Sequence, residues 1–197
     1  MFKNKIFLGI FIVAILGIMY YSLNTSANYP EEIKKSRQVY ADNLLSENDS
    51  PIQNKETFSG FKYFEPDLKY KVTATFKAIN DSKEDLLLMT DSTSAKLKQA
   101  GIVTFELDGK NYQLTLFDEE DILLLPFRDL TNGKETYGGG RYINLKKKDL
   151  ADDKIEIDFN QAHNFYCAYS ENFVCPVPPK ENTLAVEIKA GEKSVSH

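Results

Sequence analysis

Cysteine and histidine are scarce in this chain, with two of each among 197 residues. A zinc centre takes three or four ligands, and His163 is the only histidine near Cys167 and Cys175, so no metal is expected. The chain also lacks a Gly-x-Ser-x-Gly elbow, an HExxH helix and a nucleotide-binding loop. Those absences remove the common signatures of hydrolases, metalloproteases and nucleotide enzymes. No residues mark an isoalloxazine site, and no cofactor is expected. Internal repeats and low-complexity segments are missing too. Nor is there a basic stripe: the formal charge is −5, and residues 1–27 hold two lysines and no acid, leaving 22 basic against 29 acidic side chains in the remainder. A body of that sign makes nucleic acid and anionic lipid surfaces poor partners.

What is present describes a packed protein. Aromatics at 12% and charged residues at 27% argue for a globule, and the length suits one domain with a full core. Lys3 and Lys5 precede an uncharged apolar stretch from Ile6 to Leu23. Its length is close to the roughly 20 residues that span a bilayer as a helix. Two readings fit residues 1–27. An anchor keeps the stretch, with Tyr20 and Tyr21 at the interface; a signal peptide is cut after Thr25-Ser26-Ala27. No cysteine lies near the end of the stretch, which excludes a lipoprotein. Either way the membrane is engaged through residues 6–23. The main domain is expected outside the cytoplasm, anchored in the cell membrane or secreted after cleavage behind Ala27. In that oxidising setting Cys167 and Cys175 are expected to form a disulfide. Free or buried thiols and redox chemistry are the alternatives.

Residues 28–57 read as a helix and connector. Pro30 suits a first helical turn, Ile33, Tyr40 and Leu44 share one face, and the helix is expected to end near Ser46, before Pro51. From residue 58 to residue 190 the pattern turns to period two. Tyr70 to Ala78 alternates as a half-buried strand, and Leu86 to Met89 gives a short one. Val103 to Leu107 and Tyr112 to Leu116 flank Asp108-Gly109, the signature of a tight hairpin. Asp121 to Phe127 is apolar throughout, as in a strand buried on both faces. Arg141 to Leu145, Lys154 to Phe159 and Thr183 to Ile188 complete about eight strands. No long helices alternate with them, so the fold class is mainly β, an antiparallel barrel or sandwich preceded by a helix. A polar tail closes the chain, from about residue 191 onward.

The densest chemistry lies between Pro126 and Asn182. Arg128 and Asp129 leave a buried strand end, placed either to contact a ligand or to order the loop before Asn132-Gly133. Tyr137-Gly138-Gly139-Gly140-Arg141 offers an amide nest and a two-pronged donor for an anion, or simply a sharp bend into a strand. Asp158 and Asn160 share one face of a strand end, with His163 close behind. They suit substrate orientation and proton exchange, or a structural Asx turn.

This run, PFRDLTNGKETYGGGRYINL followed by IDFNQAHNFYCAYSENFVCPVPPKEN, resembles a bacterial family catalogued as domain of unknown function 1684. Its pattern falls on Phe127, Asp129, Thr131, Gly133, Thr136, Tyr137, Gly140, Arg141 and Tyr142. It continues on Asp158, Phe159, Asn160, Asn164, Cys167, Ala168, Cys175, Pro176, Pro178, Pro179 and Asn182. The likeness covers about residues 50–192. Phe165 departs from it, standing where proline is usual, and His163 stands where an aromatic such as Tyr is common. The resemblance implies no particular activity.

Three functional expectations follow. The first is a module binding a small anionic ligand through Arg128, Asp129, Tyr137, Arg141, Asp158, Asn160 and His163. The second is a hydrolase with Asp158 or Asp129 as base, assisted by Tyr137 or His163. The third is a structural envelope protein whose loops meet a partner.

Overall fold

The computed structural model describes residues 5–79 and 84–195. Helix α1 runs unbroken from Lys5 to Ser46, about 60 Å at 1.5 Å per residue. It passes through Thr25-Ser26-Ala27, and Pro30 sits inside it rather than at a helix start. Proline there removes one backbone hydrogen bond. Lys3 and the side chains of Tyr20 and Tyr21 lie outside the described residues. In the first half of α1, Phe7, Ile10, Val13 and Leu16 are exposed. Among the described residues no helix is long and apolar enough to cross a membrane. The second half buries Tyr29, Ile33, Arg37, Ala41 and Leu44, residues one helical turn apart and hence on one face. Ser46 ends the helix by donating its hydroxyl to Asn43 O at 2.8 Å.

Among the described residues seven antiparallel strands follow: β1 (Lys71–Ala78), β2 (Glu84–Leu88), β3 (Ser94–Leu107), β4 (Lys110–Glu119), β5 (Ile122–Phe127), β6 (Arg141–Lys146) and β7 (Lys154–Asp158). Their order is β6-β5-β4-β3-β1-β7, with β2 added to β3. The sheet curls until β6 and β7 face each other across a cleft of about 250 Å³, lined by Asn144, Leu145, Glu156 and Asp158 among others. It is a nearly closed barrel. Alternate residues fill it: Ala74, Phe76, Val103, Phe105, Leu114, Leu116, Leu123, Leu125, Ile143, Leu145, Ile155 and Ile157. On the outside, Leu124 joins Phe117, Tyr142 and Leu87 in a second cluster, with Leu97 and Phe165 against it. The unbroken apolar run of β5 therefore serves both layers.

Two backbone devices shape the barrel. Asp108 and Gly109 take φ of 53° and 72°, the conformation of a two-residue hairpin turn. In β3 the pairing jumps between Gln99 and Gly101, a bulge that bends the long strand. Any Cβ on Gly101 would lie 2.5 Å from the Phe76 ring and 2.6 Å from Lys77 O. Glycine is required there by space.

The expected last strand is not one. Thr183 makes a single parallel bridge to Arg128, Leu184 N donates to Arg128 O at 2.8 Å, and Leu130 N donates to Val186 O at 3.1 Å. Both edges of β5 are already taken by β4 and β6, so the alternating TLAVEI segment meets the turn beyond β5 instead. It continues as an extended strap to Glu192, with Ile188, Ala190 and Glu192 buried. The polar tail thus begins later than its composition suggests.

Candidate functional site

Arg141 and Asp129 form a closed centre. Asp129 Oδ1 accepts Thr131 N at 2.7 Å and the Thr131 hydroxyl, which folds the loop after β5 into an Asx turn. Its Oδ2 accepts Arg141 Nη2 at 2.7 Å. The same guanidinium donates to the carbonyls of Ile188, Ala190 and Glu192. Both side chains are fully buried. Burial lowers the pKa of Arg141, opposed by Asp129. The arginine is therefore the clasp that closes the C-terminal strap over the barrel, with no face toward solvent. Gly140 before it serves packing: at φ +101° it would drive a Cβ to 2.7 Å from Phe127 O and from the Pro178 ring.

Asp158 and Asn160 are a second centre, on the other side. Asp158 accepts the Tyr29 hydroxyl at 2.9 Å and Asn160 N at 3.0 Å. Asn160 Nδ2 donates to Tyr29 Oη at 2.7 Å and to Asp67 O at 2.8 Å, while its Oδ1 accepts Asp67 N at 2.9 Å. Arg37 grips the Asn160 carbonyl with Nε and Nη2, and Phe64 O with Nη1 at 2.9 Å. The Asp-Phe-Asn strand end thus holds α1 against the barrel. Burial first, then Asp158, raises the Tyr29 pKa.

His163 occupies a third place, under α1. Its backbone pairs with Tyr142 in both directions at 3.0 Å. Nδ1 lies 3.1 Å from Asn164 O and 3.1 Å from Tyr40 Oη. A carbonyl only accepts, so Nδ1 carries the hydrogen and Nε2 presents a lone pair. Burial lowers the His163 pKa, against the Asn164 hydrogen bond. Nε2 is buried without a partner, and so is the hydroxyl of Tyr63. Both side chains line a chamber of about 130 Å³, with Ser36, Arg37, Tyr40, Asn144 and Gln161. Arg37 and Tyr63 also line a larger groove of about 640 Å³ between α1 and the segment 55–66. Ala41, Leu45, Phe58, Phe61, Phe64 and Pro66 make that groove apolar, while Lys34, Lys55 and Glu65 supply charge.

Tyr137, Arg128 and the cysteines meet at a fourth corner. The expected disulfide is not formed: both cysteines are free thiols, and Cys167 N donates to Cys175 Sγ at 3.3 Å. Burial first, then the neighbouring Cys167, raises the Tyr137 pKa to about 12. Arg128 Nε is buried with no partner. Its main chain bonds Asn182 O and Leu184 N. No group of three or more metal-ligating side chains occurs among the described residues.

The seven expected ligand residues are thus distributed over four places, and only His163 lines the groove system beneath α1. The other residues there were not singled out from sequence. A signal existed in the aromatic density of Phe58, Phe61, Tyr63 and Phe64, and in an arginine, Arg37, on the apolar face of α1. Glu192 was also missed: fully buried, it accepts Asn164 N at 2.9 Å and the Tyr169 hydroxyl.

Fold and site together define a class: a nearly closed antiparallel barrel, clasped by a C-terminal strap and packed under a long N-terminal helix, with a groove at the helix–barrel junction. The chain belongs to the family described as protein of unknown function (DUF1684), whose model matches residues 56–193. It is also similar to an uncharacterized protein of Haloarcula marismortui known from a solution NMR structure. The two are 35% identical with a TM-score of 0.68, covering 86% of this chain and 96% of that one. No curated protein matches.

Proposed function

We propose that this protein binds a small amphipathic ligand in the groove between α1 and residues 55–66, with the ligand's polar end in the chamber of His163. The observation that carries the reading is the pair of buried, unpartnered polar atoms, His163 Nε2 and the Tyr63 hydroxyl, on side chains that line one chamber. A buried polar group without a partner costs about 1–3 kcal/mol, so a group that donates to Nε2 and meets Tyr63 would recover that cost. The apolar groove adjoining it suits the ligand's body. Lys55 and Lys34, the latter also paired with Glu31 at 3.3 Å, line the groove beside Glu65 and support the anionic expectation in place of Arg141.

Against the hydrolase alternative stands the saturation of both candidate bases. Asp129 is taken by Thr131 and Arg141, and Asp158 by Tyr29 and Asn160. The binding reading is tested with anilinonaphthalene sulfonate, an apolar body carrying one anion. Fluorescence titration should show one saturable site, weakened at least ~10-fold in Phe61→Asp, since a charge in an apolar pocket is strongly disfavoured. Equal affinity in the folded variant refutes it, and no saturable site at all favours the envelope-partner reading.

A further inference from the structure

The cysteine corner serves neither the clasp nor the groove, and it is built as a reactive pair. Cys175 is buried and fixed to the barrel: its N–H donates to Thr90 Oγ1 at 3.0 Å and its carbonyl accepts Thr90 N at 2.9 Å. Next along the chain, Pro176 O accepts the Tyr142 hydroxyl and Val177 N donates to Leu88 O at 2.7 Å. Cys167 differs. It is partly exposed, in the short 3-10 turn Tyr166–Ala168 at the start of a surface loop. Cys167 N donates to Cys175 Sγ at 3.3 Å, which sets the two thiols side by side, and Tyr137 is the neighbour of Cys167 on its other flank.

Donors to a sulfur stabilise its thiolate. Cys167 is accordingly lowered to about 7, by the Cys175 hydrogen bond above all and also by Tyr137, against burial. Cys175 is raised by the neighbouring Cys167 sulfur and by burial. The charged and titratable groups that face the pair are Tyr137 and Tyr142, with Arg128 acting on Tyr142. Cys167 is thus the accessible sulfur with the lowered pKa, and Cys175 is the buried one with the raised pKa.

We propose that Cys167 and Cys175 form a thiol–disulfide exchange site for low-molecular-weight disulfides, with Cys167 as nucleophile, Cys175 as resolving thiol and Tyr137 as the donor that holds the thiolate. The Cys167 thiolate attacks one sulfur of the disulfide RSSR, forming a mixed disulfide and expelling RS⁻, which takes a proton from water. Cys175 then loses its proton to solvent and attacks Cys167 Sγ, expelling the second RS⁻, which is protonated in turn. The two thiols are oxidised to one disulfide and RSSR is reduced to two RSH. A small dithiol reverses the reaction by the same steps.

The full chain is tested with dithiobis(nitrobenzoate) under native conditions, by absorbance and intact mass. Wild type should release both thionitrobenzoates per chain and end two hydrogens lighter with no adduct. Cys175→Ser should release one and keep one adduct at Cys167. Cys167→Ser should react at least ~10-fold more slowly, because Cys175 is buried. An adduct retained by wild type overturns the proposal, as does a Cys167→Ser variant as fast as wild type. The wild-type mass decides even if a variant fails to fold. For Tyr137→Phe, the midpoint of the pH–rate profile should rise from near 7 toward the ordinary thiol value while the high-pH plateau stays constant. An unmoved midpoint removes Tyr137 from the role.

Discussion

Glu192 is a carboxyl sealed between Tyr169, Asn164 and the Arg141 clasp, and its pKa is raised to about 7, by burial first, against those donors. A carboxyl whose folded pKa lies above its unfolded value stabilises most when protonated in the fold. That contribution is complete below the unfolded value near 4.5 and is lost as pH rises through about 7. Glu192→Gln keeps an acceptor for Asn164 N without the charge. Urea unfolding at paired pH values should show the variant gaining on wild type by about 1–3 kcal/mol between the two pKa values. A difference that stays flat with pH would mean the carboxyl does not titrate there. His163 is shifted the other way by burial, and it cancels in that comparison because both proteins carry it. Asp129 and Arg141 teach a related lesson. Their charges suggested a ligand from sequence, yet no ligand reaches side chains that are 0% exposed, and breaking a buried pair of this kind costs about 3–5 kcal/mol.

Among the elements, α1 is held by a polar lock near its middle. Tyr29, Arg37 and Asn160 join it to the end of β7, and Ile33, Ala41 and Leu44 supply the apolar face. Tyr29→Phe keeps the ring but leaves Asp158 short of a donor, a loss of about 1–3 kcal/mol. Because the lock sits at the helix–barrel junction, hydrogen exchange should accelerate in the amides from Ile33 to Leu44 and stay slow in β3 and β4. Uniform acceleration, or none, contradicts that assignment. The elements themselves were largely legible. The Asp108-Gly109 hairpin, the buried run of β5 and the helix end at Ser46 each follow from a local rule of turn, burial or capping. Thr183 to Ile188 failed because alternation reports a two-faced extended segment, not whether a free strand edge is there to receive it.

For the molecule as a whole, the first half of α1 stands outside the barrel with Phe7, Ile10, Val13 and Leu16 exposed. An apolar surface of this kind marks contact with a membrane or a partner, and we propose that it anchors the domain to the cell membrane. Full-length protein should then stay in the membrane pellet through alkaline carbonate washing, while a chain beginning at Asn28 should be released. Full-length protein found wholly in the wash excludes the anchor. The groove lies farther along the same helix, at its junction with the barrel.

The sequence by itself determined the antiparallel β character, the helix end, the hairpin register and the family pattern, since each depends on neighbours a few residues apart. Only the tertiary structure decided what the charged residues do. Arg141 meets Asp129 and the carbonyls of the strap, Asp158 meets Tyr29 across most of the chain, and Cys167 meets Cys175 with Tyr137 beside it. A charged side chain near a loop reads alike whether it faces a ligand or a buried carbonyl. The difference is desolvation and partner geometry, and both arise only when distant segments close around it.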